Sequence, residues 1–266
     1  MRRRLPRTMP GVKGFDRDAV RYERARPDYP VAAVRLLGRV LDLGPARTVV
    51  ELGSGTGKFT RAIAAWEAAR IAIEPTTGMR RVFRRTVPDV LVLDGTAEAI
   101  PLPDGLADAV VCAQAFHWFR PGPALREIHR VLRPGGGLGL VWNTRDDRLR
   151  WSRRLTEIMA PYHREATFLR RRPRRDRERE WRRVLARSGR GFSPLHERFV
   201  RHVQWGTPEL FVDRVLSVSS IALLPPARQR EVARAVRHLL ATDPATRGRA
   251  RIGLPYRTEV YWSYRR

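Results

Sequence analysis

Residues 51–60 read ELGSGTGKFT. Gly53, Gly55 and Gly57 alternate with Ser54 and Thr56, Glu51 stands just before them, and Lys58 just after. Glycine has no Cβ, so such a bend lets backbone come close to a nucleotide. A triphosphate loop needs Gly, four residues, then Gly-Lys-Ser/Thr. Gly57 and Lys58 fit its middle, but Leu52 and Phe59 occupy its ends, and the hydroxyl that would hold magnesium is missing. A dinucleotide fingerprint, G-x-G-x-x-G, needs a third glycine where Lys58 stands, and an acid ~20 residues further on. Glu74 supplies the acid. Glu51 argues against a pyrophosphate, because a carboxylate there repels phosphate and attracts a cation.

S-adenosylmethionine fits these charges better. It carries an ammonium, a sulfonium and an adenosine, and no phosphate. The glycines admit its methionine portion, and Glu74 can accept from both ribose hydroxyls. Methyl transfer from it to a small-molecule O, C or N atom is an in-line displacement at an activated sulfonium, in which positioning supplies up to ~7–11 kcal/mol. A base is needed only for a neutral hydroxyl, an acidic carbon or a protonated amine; a carboxylate acceptor needs none. His117 is the histidine placed for that role. A substrate-orienting hydrogen bond and a structural contact are its competing readings. Phe116 and Trp118 read as pocket wall, and Gln114 and Ala115 as cofactor lining. His129 falls on an amphipathic helix, and Asp146 and Asp147 on a solvated turn. No histidine pair has the spacing of a metal site and Cys112 is the single cysteine, so no metal and no intrachain disulfide are expected.

Elements of regular period must position these groups. RTVVEL (47–52), IAIE (71–74), DVLVLD (89–94), ADAVVCAQAF (107–116) and LGLVWN (138–143) read as buried strands. Helical spacing follows the glycine bend and recurs over 76–86 and 123–132. Pro121 and Pro123 mark the start of the latter helix, and RPGGG (133–137) its stop. Strand and helix alternating at this interval call for an α/β fold with a doubly wound, mostly parallel sheet. Ligands of such a sheet bind beyond the carboxyl ends of the strands, which is where Glu51, Glu74 and residues 114–119 fall. Beyond 144, residues 150–190 read as basic helix, 197–205 as a strand, 207–241 as two helices broken at LLPPAR, and 258–266 as a closing strand. The chain therefore divides into a helical cap (1–45), a cofactor-binding core (46–144), and substrate-cap helices with the last two strands of the same domain (145–266).

The sequence resembles the class I S-adenosylmethionine-dependent methyltransferases, specifically the type 11 group that includes ubiquinone-biosynthesis and trans-aconitate methyltransferase relatives. VVELGSGTGKFT is similar to the group's first motif and AIEPTTGM to its second. DGTAEAIPLPDGLADAVVCAQAFHWF resembles the third and fourth, and LREIHRVLRPGGGLGLVW the helix, turn and strand that follow. The resemblance implies a Rossmann-like sheet of seven strands with the last antiparallel. It also implies Glu74 as the ribose acid, with Pro75 beside it and Met79 near the adenine. RYERARPDYP resembles the segment that covers the cofactor in close relatives, which implies roles for Tyr22 and Arg26. Relatives commonly carry Asp-Ala-Glu where this chain has Thr96, Ala97 and Glu98; the hydroxyl of Thr96 is a weaker acceptor for the adenine amino group than a carboxylate.

Charge bears on partners. The 266 residues carry a net charge of +26, and all but two of the 53 basic residues are arginine. That skew points to GC-rich codons as much as to phosphate binding. Residues 46–144 are nearly balanced, and the excess lies in the flanks, most densely in LRRRPRRDRERE (169–180). Such a run reads as a solvated helix face before it reads as a contact for an anionic partner. Base-amino methyltransferases carry Asp/Asn-Pro-Pro-aromatic where this chain has Gln114-Ala115-Phe116-His117, so a small-molecule acceptor is expected ahead of a nucleic acid. A nicotinamide oxidoreductase and a nucleic-acid methyltransferase or binding protein are the alternatives. No secretory signal and no membrane span is read, so a cytoplasmic protein is expected.

Overall fold

In the computed structural model, residues 18–165, 174–187 and 191–266 are described. The first half of the arginine-rich run and the beginning of the amino-terminal cap lie outside them. Seven strands, β1 (Thr48–Leu52), β2 (Ala69–Ile73), β3 (Leu91–Leu93), β4 (Ala107–Ala113), β5 (Leu132–Arg145), β6 (His196–Gly206) and β7 (Ile252–Tyr264), form one sheet. Their order is β3-β2-β1-β4-β5-β7-β6. β1 pairs in parallel with both β2 and β4, so the winding reverses between β1 and β4. That reversal opens a crevice at the carboxyl ends of these two strands, where ligands of open α/β sheets bind. β7 alone runs antiparallel, inserted between β5 and β6.

The helices are α1 (Ala19–Ala25), α2 (Val31–Val40), α3 (Lys58–Ala62), α4 (Thr77–Thr86), α5 (Pro121–Val131), α6 (Arg150–Glu165), α7 (Arg174–Arg187), α8 (Pro208–Leu216), α9 (Ser219–Ala222) and α10 (Pro226–Thr242). Side chains alternate across a strand, so neighbouring residues serve different layers. Val49, Val111, Val141 and Val260 pack under α2 and the aromatic pair Phe59 and Trp66. Val50, Val110, Cys112, Leu140 and Trp142 face the other way, against Leu125 and Ile128 of α5 and Trp181 and Leu185 of α7. Trp142 and Trp181 stack at 5.5 Å between centroids. A further cluster joins α6, α8 and α10 to Leu254 and Tyr256 of β7, roofing the carboxyl side of the sheet.

Local departures from the sequence reading have physical causes. β4 stops at Ala113 rather than 116, because Gln114 turns into the left-handed region at φ 59°. The turn expected at 133–137 lies inside β5: Leu132 pairs with Ala107 and Gly137 with Ala109, so Arg133–Gly136 bulge out, with Gly135 at φ 76°. Residues 208–242 form three helices rather than two, because α9 is a separate short turn between α8 and α10. β7 begins at Ile252, not 258; Gly253 and Pro255 mask the strand in sequence, yet pair with Trp205 and Val203 of β6. Among the described residues, no helix is long and apolar enough to cross a membrane.

Candidate functional site

β1 delivers the glycine bend into the crevice. Gly53 and Gly55 adopt φ 65° and 59°. The amides of Gly53 and Ser54 both donate to the carbonyl of Ile73, at 2.8 and 3.2 Å, which ties the bend to the tip of β2. A Cβ on Gly53 would lie 2.6 Å from that of Ala115, whereas one on Gly55 would project into open space. The two glycines therefore serve different ends. Gly53 permits close packing against the β4 tip, and Gly55 keeps the crevice open. Gly57, at φ 86°, lies outside the cavity lining; its Cβ would collide with Val87 and Phe83 at 2.5 and 2.9 Å, so it brings α3 against α4.

Two buried acids flank the bend. Glu74 sits at the end of β2 and accepts from the amides of Gly55 at 2.9 Å and Thr76 at 2.8 Å, one on each carboxylate oxygen. Burial pushes its pKa up, opposed by these hydrogen bonds and by Arg80. The Arg80 guanidinium donates to the Glu74 carbonyl at 2.7 Å and pairs with Asp94. Glu51 accepts from the hydroxyl of Thr60 at 2.5 Å. Burial pushes Glu51 up to about 8, with the Thr60 hydrogen bond pulling down and the Glu74 charge adding to the rise. The acid on β1 is thus held largely neutral near pH 7 and ionises readily when a cation approaches.

Two adjoining cavities meet at this bend, sharing Tyr22, Gly53, Gly55, Ala113 and Gln114. One, of about 540 Å³, is walled by Glu74, Pro75, Thr76, Met79, Trp118 and Phe119. The other, of about 450 Å³, is reached by Glu51, Ser54, Thr56, Arg26, Asn143 and Arg214. Most residues expected at a cofactor site from the sequence are brought together here, including Tyr22 and Arg26 from the start of the chain. The fit to an adenosyl cation is physical. The Glu74 carboxylate is fixed by its two amides, the hydroxyl of Ser54 and the Nε of Arg26 are buried without partners, and Gly55 leaves room beside them.

Other expected residues are placed elsewhere. After Gln114 the chain makes a 3₁₀ turn, Phe116–Trp118. Positions three apart eclipse in such a turn, so Ala115 and Trp118 face the cavity while Phe116 and His117 turn away. Phe116 is fully buried against Phe119 and Trp181 and is core rather than pocket wall. Nδ1 of His117 accepts from Nε1 of Trp142 at 3.4 Å, and His117 lines neither cavity. The expected base role of His117 therefore has no contact with either cavity to support it. Thr96, Ala97 and Glu98 also lie outside both linings. The Thr96 hydroxyl is buried without a partner, and Glu98 accepts from the amide of Arg120 at 2.7 Å, at the start of α5. Among the described residues, no group of three or more His, Cys, Asp or Glu is placed to hold a metal.

Sequence reasoning missed Thr76, Phe119, Asn143 and Arg214. Thr76 and Phe119 flank expected positions, so neighbourhood alone could have found them. Asn143 closes β5; its amide donates to the Asp28 carbonyl at 3.1 Å and its Oδ1 accepts from Thr258 at 2.6 Å. Arg214 arrives from α8, more than 150 residues beyond the glycine bend, with no local signal.

Comparison with known proteins gives a concordant result. Residues 50–140 match the type 11 methyltransferase model, described as a methyltransferase domain. An uncharacterized methyltransferase of Mycobacterium tuberculosis is 40% identical over 237 residues, covering 89% of each chain. An uncharacterized methyltransferase-like protein of Schizosaccharomyces pombe is 35% identical over 254 residues, covering 95% of each. The crystal structure of a putative methyltransferase from an antibiotic biosynthesis pathway of Anabaena variabilis shares the fold. Its TM-score is 0.64 at 21% identity, covering 89% of this chain and 98% of that one. Seven strands in this order, a glycine bend at the switch point, an acid on each adjoining strand tip and these matches have one meaning: the chain belongs to the type 11 group of class I S-adenosylmethionine-dependent methyltransferases.

Proposed function

We propose that this methyltransferase binds S-adenosylmethionine across the two cavities and passes its methyl group to a small-molecule acceptor. The observation that carries this reading is the pair of buried acids on neighbouring strand tips, Glu51 and Glu74, facing one glycine bend. Glu74, pinned by Gly55 and Thr76, keeps lone pairs for ribose hydroxyls. Pro75, Met79, Trp118 and Phe119 offer apolar surface to an adenine. At the other end Glu51 answers an ammonium, and Arg26, with its unpartnered Nε, answers a carboxylate. Tyr22 and the amides around Ser54 and Thr56 close over the junction. Once bound, the cofactor supplies a methyl group on an already activated sulfonium. The protein's own contribution is alignment, exclusion of water by α1 and the roof of α8, and a fixed field. No metal enters this reading, and His117 serves as a prop for the β4 tip rather than as a base.

Calorimetric titration tests it. S-adenosylmethionine is expected to bind with a micromolar dissociation constant, on the order of −8 kcal/mol, and NAD and a short RNA are not. Glu74→Ala is expected to weaken binding by about tenfold or more, the cost of losing charge-assisted hydrogen bonds to two hydroxyls. Binding of NAD with equal affinity, or an unchanged Glu74→Ala variant, overturns the reading.

A further inference from the structure

The cavity that receives Glu51 also receives two guanidiniums, Arg26 from the end of α1 and Arg214 from α8. Among the described residues neither forms an ion pair. The acids nearby are engaged: Asp213 by Arg21 and Arg24, and Glu23 and Asp28 by Lys58. Arg26 gives one Nη to the carbonyl of Ser217 at 2.8 Å and leaves its Nε buried and unpartnered. Arg214 gives its Nε to the hydroxyl of Tyr256 at 3.1 Å, a neutral partner. The two cations weigh on each other: Arg26 is pushed down to about 10 by burial and then by Arg214. Uncompensated like charges in a half-closed space are costly unless an anion joins them.

A charge balance separates their roles and rests on the cofactor reading above. The amino-acid end of the cofactor is a zwitterion. Glu51 and Arg26 answer its ammonium and carboxylate, one charge each. Arg214 reaches the same cavity from α8 and has no acidic partner among the described residues, so it then remains as a surplus cation for the acceptor. Its planar fork suits a carboxylate, which it can grip with two parallel hydrogen bonds. We propose that the methyl acceptor carries a carboxylate and that Arg214 is the residue that selects it. The same assignment accounts for a half-buried arginine on a cap helix with no acidic partner among the described residues.

The test uses the full chain with S-adenosylhomocysteine, so it does not depend on turnover. Binding of S-adenosylhomocysteine is measured first by calorimetry on the wild type and on Arg214→Gln. Acetate and acetamide are then titrated at constant ionic strength into each saturated complex, with the melting temperature as readout. Acetate is expected to raise the melting temperature of the wild type saturably, and acetamide is not. In Arg214→Gln the acetate affinity is expected to fall by about tenfold or more, the loss of a charge-assisted pair, and Arg214→Lys recovers part of it. S-adenosylhomocysteine affinity is expected to stay within about threefold. The wild-type comparison of acetate with acetamide stands even if a variant fails to fold. The proposal falls if acetate acts no better than acetamide, or acts equally on Arg214→Gln. It also falls if Arg214→Gln loses S-adenosylhomocysteine while acetate has no effect, because both guanidiniums then serve the cofactor. Failure of the wild type to bind S-adenosylhomocysteine at the first step removes the cofactor reading itself, and this proposal with it.

Discussion

At the scale of the residue, the informative groups are polar and buried. Glu51 is 2% exposed and Glu74 5%, both at the crevice proposed to hold the cofactor. The Glu51 carboxyl rises from its usual 4.5 to about 8, so the ligand-free protein holds a proton there at pH 7. An ammonium favours the ionised form, so binding of S-adenosylmethionine at pH 7 is expected to release about one proton, and affinity to climb as pH rises toward about 8. Calorimetry in buffers of different ionisation enthalpy reads the proton directly, and Glu51→Gln should abolish its release. The same shift has a stability consequence of fixed sign. The native state binds more protons than the unfolded chain between pH 4.5 and about 8, so Glu51 makes the ligand-free protein less stable as pH rises through that window and has no further effect above it. Both acids were legible in sequence, because carboxylates beside glycines at strand ends are a local signal. The proton on Glu51 was not, because desolvation is a property of the surroundings.

At the scale of the element, the three glycines show how much one letter leaves open. All lie in one motif and all have positive φ, yet each is required by something different. Gly57→Ala is expected to destabilise the fold by about 1–3 kcal/mol, since its Cβ would press on Val87 and Phe83 and its φ of 86° disfavours any side chain. Denaturant unfolding measures this. Gly55→Val, by contrast, points its added atoms into the crevice, so it is expected to abolish detectable binding of S-adenosylmethionine in a calorimetric titration while the chain still unfolds cooperatively. The β4 tip carries the same lesson. An apolar run through QAF reads as continuing strand, but the left-handed turn at Gln114, held by its amide to the Asn143 carbonyl at 3.0 Å and its backbone to the Val141 carbonyl at 2.9 Å, ends the strand early. The 3₁₀ turn that follows keeps Ala115 and Trp118 at the cavity and turns residues 116 and 117 away from it. Phe116 becomes core, and His117 rests against Trp142.

At the scale of the molecule, the site is a seam between parts distant in sequence. The sheet brings the tips of β1, β2 and β4 together; α1 closes over them, and α8 anchors α1. Asp213 is gripped by Arg21 and Arg24, Ser217 by Arg26, and the carbonyl of Ala25 accepts from Gln204 on β6 at 3.0 Å. α8 depends in turn on the packing of its buried face. Phe211 is fully buried and meets Trp151 of α6 edge-on at 6.0 Å. Phe211→Ala is expected to cost about 3–5 kcal/mol, read by denaturant unfolding. Because the end of the roof helix also holds Arg26 through the Ser217 carbonyl, the same change should weaken cofactor binding without touching the glycine bend. The strong positive charge of the chain is spread over its flanks, where several arginines pair with carboxylates, as Arg228 does with Glu231 and Arg237 with Glu209.

The sequence by itself determined the order of strands and helices, the glycine bend with its two acids, and the membership those motifs express, because periodicity, β-branched runs and glycine spacing act over a few residues. The tertiary structure alone decided which way the 116–118 turn faces, that Thr96 and Glu98 stand apart from the cavities, and that Arg214 enters one of them without an acid beside it. Those outcomes depend on burial and on contacts between segments far apart in the chain, and neither leaves a trace in the spacing of neighbouring residues.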